Sequence, residues 1–177
     1  MLIDTGCARI GSCAQLNAEV FSTWETARNP IAKVEAYALI LGVIYHWDSL
    51  KNRDMIWFVD NSTALYSAVK GSSGDTDVET MIQVFYLLSW VGNFRVYWEF
   101  VESAANWADG ASRLLLEDRW HVQHGFQIEQ VAPISIPRLH ALDTISSVTA
   151  RLNNSGVIHD LTCFVESASR ALRSRGC

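Results

Sequence analysis

The chain has 177 residues, 49% apolar and 19% charged, which is room for one ordinary domain or a compact domain with an extension, and which excludes general disorder. Its formal net charge of −5 excludes a stand-alone nucleic-acid binder that relies on its own basic surface. The longest apolar run, 36–45, is too short for a bilayer, and Met1-Leu2-Ile3-Asp4 lacks the features of a secretory signal, so an intracellular protein, cytoplasmic or nuclear, is expected with no membrane partner.

In chain order, Arg9 to Leu16 alternates small or apolar residues with polar ones and predicts a strand. Val20, Phe21 and Trp24 suit a neighbouring strand over 18–24. Asn29-Pro30 then opens a helix, in which Ile31, Val34, Ala38, Val43 and Trp47 recur at helical spacing. Residues 55–59, Met-Ile-Trp-Phe-Val, form a continuous apolar run that predicts a strand buried on both faces. A short helix is expected over 62–69, closed by Lys70-Gly71, and a longer one over 78–91. A strand over 95–101 and a helix over 104–116 complete a mixed order that predicts an α/β layer. Beyond it, 121–137 reads as irregular or extended, and 138–152 and 160–173 as two helices. The four cysteines, Cys7, Cys13, Cys163 and Cys177, form no Cys-x-x-Cys pair and read as reduced structural thiols.

Four carboxylates stand where a packed core would not choose them. Asp4 follows Leu2-Ile3 at a strand end, Glu35 borders the apolar face of the first long helix, Asp60 ends the 55–59 strand, and Asp109 lies in the last helix of the layer. Each has an ordinary reading. A carboxylate at a strand end commonly caps a helix or forms a turn, as Asp60 could for the helix near Ser62, and Asp109 could be a solvated helix residue. The joint pattern asks for more. In open α/β sheets functional groups gather at the carboxyl ends of strands. Clustered carboxylates repel unless a cation neutralises them, and Mg²⁺ or Mn²⁺ prefers such oxygen ligands.

These residues resemble the ribonuclease H domain of retroelement reverse transcriptases. Asp4-Thr5-Gly6-Cys7-Ala8-Arg9-Ile10-Gly11 is similar to the family's first turn, with Arg9 in place of a glycine. Val34-Glu35-Ala36-Tyr37-Ala38 resembles its first helix, and Trp57-Phe58-Val59-Asp60-Asn61-Ser62-Thr63-Ala64-Leu65 its next strand and turn. Val101-Glu102-Ser103-Ala104-Ala105-Asn106-Trp107-Ala108-Asp109-Gly110-Ala111-Ser112-Arg113 matches the retroelement signature around the last aspartate. The resemblance covers about residues 1–118 and leaves 119–177 as a mostly helical extension without a match. It implies a five-stranded mixed sheet flanked by helices, with Asp4, Glu35, Asp60 and Asp109 holding two Mg²⁺ ions, or Mn²⁺, that cut the RNA strand of an RNA–DNA hybrid. It further implies that Glu35 helps orient the 2′-hydroxyl, that Asn61, Ser62, Ser103 and Asn106 contact the substrate backbone, and that a reverse transcriptase domain is the natural partner.

Three departures qualify the match. Only three residues precede Asp4, so upstream sequence is expected. Residues 102–105 lack the histidine of cellular members, and 71–79 carry Asp75, Asp77 and Glu79 where those members carry a basic grip. The charge is divided accordingly: 1–118 hold eight basic and fifteen acidic side chains, net −7, and 119–177 hold six and four, net +2. The rival from another class is a catalytically degenerate domain that serves as a structural connector in a larger polyprotein. Transposases and integrases fit less well, because Glu35 precedes Asp60, and a related exonuclease would need an Asp-x-Glu that Asp4-Thr5-Gly6 does not supply. His121 and His124 lack further ligands for a metal pair, and Trp57, Phe58, Tyr97, Trp98 and Phe100 are expected mainly in packing.

Overall fold

The computed structural model describes residues 2–4, 8–24, 30–114 and 118–133. Along the chain run β1 (Leu2–Asp4), β2 (Arg9–Ala14), α1 (Ala18–Ser22), α2 (Pro30–Tyr45), α3 (Trp47–Leu50), β3 (Asp54–Val59), α4 (Ser62–Lys70), α5 (Thr76–Val91), β4 (Arg95–Phe100), a 3-10 turn (Ser103–Ala105), α6 (Trp107–Leu114), α7 (Arg119–Gln123) and β5 (Gln127–Val131). The architecture is α/β. Among the described residues the strands divide into a mixed three-stranded sheet, β1-β2-β5, and a parallel pair, β3-β4, where one five-stranded sheet was expected. β1 runs antiparallel to β2 with Asp4 opposite Arg9, β5 runs parallel to β2 with Ile10 opposite Gln127, and β3 runs parallel to β4 with Val59 opposite Phe100.

α2 is apolar nearly all round, which is the pattern of a buried helix. Pro30 opens it, where the missing N–H costs nothing, and Ala36, Ile40, Val43 and Ile44 are fully enclosed. It packs against α4 and α5. One interior contact is polar: Lys33 is fully buried, and its Nζ lies 2.6 Å from Asp77 Oδ2 and 3.5 Å from Asp75 Oδ2. Asp75 also caps α5 by accepting from the N–H groups of Asp77 and Val78. Two of the acidic residues that stand where cellular members carry a basic grip are thus counter-ions for a cation inside the helical layer.

Phe85 of α5 joins this layer to β3 and β4, with ring centroids 5.5 Å from Trp57 and 5.2 Å from Trp98. The opposite face of β3 is open. Ile56 and Phe58 are 61% and 59% exposed, so the strand expected to be buried on both faces is covered only on the Met55–Trp57–Val59 side. Tyr97 and Phe100 of β4 are exposed as well, whereas Trp57 and Trp98 pack as expected. α4 ends where Gly71 takes φ +73°, a left-handed conformation that a side chain would strain.

The stretch 18–24 differs from its expected strand. Asn17 Oδ1 accepts from Val20 N–H, Ser22 and Thr23 hydroxyls donate to the carbonyls of Glu19 and Val20, and Phe21 packs edge-on to Trp24 three positions later. Side-chain capping and an i,i+3 aromatic pair make this a short helix. The sheet place beside β2 is filled instead by β5, from the segment expected to be irregular or extended. Two links hold α2 to this sheet: His46 Nε2 and Ser12 Oγ share a hydrogen bond of 3.0 Å, and Tyr45 Oη donates to the Ala132 carbonyl at 3.1 Å. Among the described residues no helix is long and apolar enough to cross a membrane. The helices expected over 138–152 and 160–173 lie outside the described residues.

Candidate functional site

Because β3 and β4 are parallel, their carboxyl ends open on one edge. Asp60 directly follows β3, and the Val101 N–H still donates to the Val59 carbonyl before the chain turns into the 3-10 helix and α6. α6 then carries Asp109 in its first turn. Glu35 is half-buried on α2. Its carboxyl is pushed above the ordinary range, first by burial, then by the negative charge of Asp60, with Asp109 adding in the same direction. Asp60 and Asp109, 25 and 74 positions after Glu35 in the chain, are thus both near enough for their charge to bear on it.

Asp4 stands at the carboxyl end of β1, where Arg9 Nε donates to its Oδ2 at 3.1 Å. Asp109 has a similar neighbour, with Arg113 Nε donating to Oδ1 at 3.0 Å. Both pairs are largely solvent-exposed, where such contacts contribute little to stability and exchange readily for a competing cation. Among the described residues no three His, Cys, Asp or Glu side chains are drawn together closely enough to hold a metal. The four side chains are hard oxygen donors, and Glu35 is the one whose carboxyl is raised, by burial and by the charges of Asp60 and Asp109.

The cap reading of Asp60 does not hold, because Asn61 Oδ1 accepts from Ala64 N–H and caps α4 in its place. Asn106 has a comparable task at α6, where its Oδ1 accepts from Ala108 N–H. Two of the four expected substrate contacts thus build the turns that present Asp60 and Asp109. Ser62 and Ser103 are exposed at the starts of α4 and the 3-10 turn, on the same edge.

Sequence reasoning weighed His121 and His124 as a metal pair and did not anticipate the aromatic cluster around α7. His121 is 1% exposed, and its Nε2 donates to the Trp107 carbonyl at 2.7 Å. Trp120 stacks on His124 at 3.9 Å and faces Trp107 at 5.3 Å, while the Arg9 guanidinium lies 5.9 Å over the Phe126 ring. The visible signal was the aspartate-then-aromatic pattern Asp118-Arg119-Trp120-His121, a helix start just after α6. Comparison of the whole chain with family models, with curated proteins and with solved structures returns no match.

Proposed function

We propose that the chain is a divalent-metal-dependent endoribonuclease of the retroelement ribonuclease H type, which cuts the RNA strand of an RNA–DNA hybrid. The observation that carries this reading is Glu35 at the edge where β3 ends, whose carboxyl is raised first by burial and then by the negative charges of Asp60 and Asp109. The order Asp4, Glu35, Asp60, Asp109 and the sequence context of each support it. In this reading the two sheets are parts of one five-stranded sheet, with short β1 at their junction. Asp4, Glu35, Asp60 and Asp109 would hold two Mg²⁺ or Mn²⁺ ions, which when bound supply an activated water and stabilise the leaving oxygen. Glu35 orients the 2′-hydroxyl, Ser62 and Ser103 contact the backbone from the exposed edge, and Asn61 and Asn106 hold the turns beneath them. In this reading the acidic composition leaves hybrid affinity to a partner inside the cell, for which a reverse transcriptase domain is the fitting class.

The competing reading, a structural connector, rests on a specific observation: Asp4 and Asp109 each already face an arginine. Cleavage of an end-labelled RNA–DNA hybrid in Mg²⁺ or Mn²⁺ separates the two. The enzyme reading expects wild-type cleavage of the RNA strand alone and at least about a hundredfold loss in Asp60→Asn. Equal rates for the two proteins would leave the connector.

A further inference from the structure

The segment 118–131 reaches two of the four carboxylates, and it does so through different contacts. Toward Asp109, the contact is His121. Its Nε2 donates to the carbonyl of Trp107, the first residue of α6, two positions before Asp109. Its Nδ1 lies 2.5 Å from Asp118 Oδ2, off the line of a hydrogen bond, so the ring is buried between a main-chain carbonyl and a carboxylate. Asp118 is fixed in turn. It caps α7 by accepting from Trp120 N–H, and it packs on Gly110, where an added Cβ would collide with Oδ2. Asp109 is therefore bracketed by Trp107 and Gly110, both held by the same pair, His121 and Asp118. Toward Asp4, the contact is Arg9, which donates through Nε to Asp4 and through Nη1 to the His124 carbonyl at 2.8 Å.

Surface residues do not require a buried imidazole of this kind. A histidine 1% exposed has been removed from water, and it holds the first turn of an eight-residue helix. Outer groups that hold a ligand's backbone set its direction, and their loss characteristically weakens metal binding ten- to a hundredfold.

We infer that 118–131 belongs to the carboxylate site, with His121 as the positioning residue for Asp109. The inference rests on the metal-site reading above, and Mn²⁺ binding to the full chain, followed by loss of the free-ion paramagnetic resonance signal, tests the two separately. His121→Leu is expected to weaken Mn²⁺ binding about tenfold, and His121→Gln, which keeps a donor toward Trp107, to stay within about threefold of wild type. Gly110→Ala provides an independent variant should His121→Leu fail to fold. Alanine is the better helix former, so a weaker Mn²⁺ site in a helix of undiminished content reports the displaced Asp118 rather than a damaged helix. A further readout distinguishes positioning from general destabilisation: in an Asp109→Asn background, His121→Leu should cost nothing more. Folded His121→Leu and Gly110→Ala proteins that bind Mn²⁺ as wild type does would overturn the role of His121 alone. A wild-type chain that binds no Mn²⁺, or binds it equally well as Asp60→Asn, would overturn the site itself.

Discussion

The β3–β4 sheet rests on α4 and α5 through rings and aliphatic side chains withdrawn wholly from water, whereas the β1-β2-β5 sheet is held by half-exposed aromatics and by side chains bonded to main-chain carbonyls. Phe85, Ile82, Leu88 and Ile40 are fully enclosed around the first. Around the second, Ile3, Phe126 and Val131 sit at the margin of burial, and Arg9, Tyr45 and His121 supply much of the connection by donating to the carbonyls of His124, Ala132 and Trp107. The first unit carries Glu35 and Asp60. The second carries Asp4, and through α7 it steadies Asp109. If the four carboxylates form one site, it takes its rigidity from one side and its adjustability from the other, and its precision is limited by the weaker side.

The largest expected effect measures that division. Phe85→Ala should cost about 3–5 kcal/mol in chemical denaturation, because the ring fills the space between Trp57, Trp98 and Phe94. Phe126→Ala should cost roughly half as much and expose β5 and α7 to hydrogen exchange before α2 or α5. Equal costs and simultaneous exchange would make the two halves one cooperative unit.

The next effects are pH-dependent and opposite in sign. His46, which joins α2 to β2, is depressed by burial from 6.5 to about 4. Below 6.5 the unfolded chain takes up a proton that the folded ring resists, so stability present above 6.5 is lost as pH falls toward 4, on the order of 3 kcal/mol in all. His46→Gln should flatten that part of the stability profile. Glu35 behaves in reverse. Its raised folded-state value means the native protein holds the proton more tightly, so its contribution improves on acidification and worsens as pH rises from 4.5 through that raised value. At neutral pH without divalent cation, Glu35→Gln should therefore stabilise the chain, by about 1 kcal/mol, the usual gain when function has kept a site from its stability optimum.

Much of this was legible in the residues. Asp60 could be placed because an apolar strand, an aspartate and a run of helix-starting polar residues follow one another without a gap. Gly71 and Pro30 marked boundaries that the backbone respects. What could not be read depended on partners distant in the chain. Val20, Phe21 and Trp24 suit a strand or a single helical turn equally, and the Asn17 cap decided for the turn. Ile56 and Phe58 read as buried because an apolar run does not say which face is covered. Asp75 and Asp77 could be read only as acids in place of a basic grip, because Lys33, more than forty positions earlier, is invisible as their partner. His121 was weighed only as a metal ligand, and its contact with Trp107 emerges only when α7 folds back on α6.

The most direct measurement is the stoichiometry of Mn²⁺ on the full chain, in wild type and in Asp60→Asn. If Asp4, Glu35, Asp60 and Asp109 form one two-ion site, wild type binds two Mn²⁺, Asp60→Asn binds at most one and weakly, and RNA cleavage appears in step with the second ion. Two ions bound equally well by both proteins, or none bound by wild type, would contradict it.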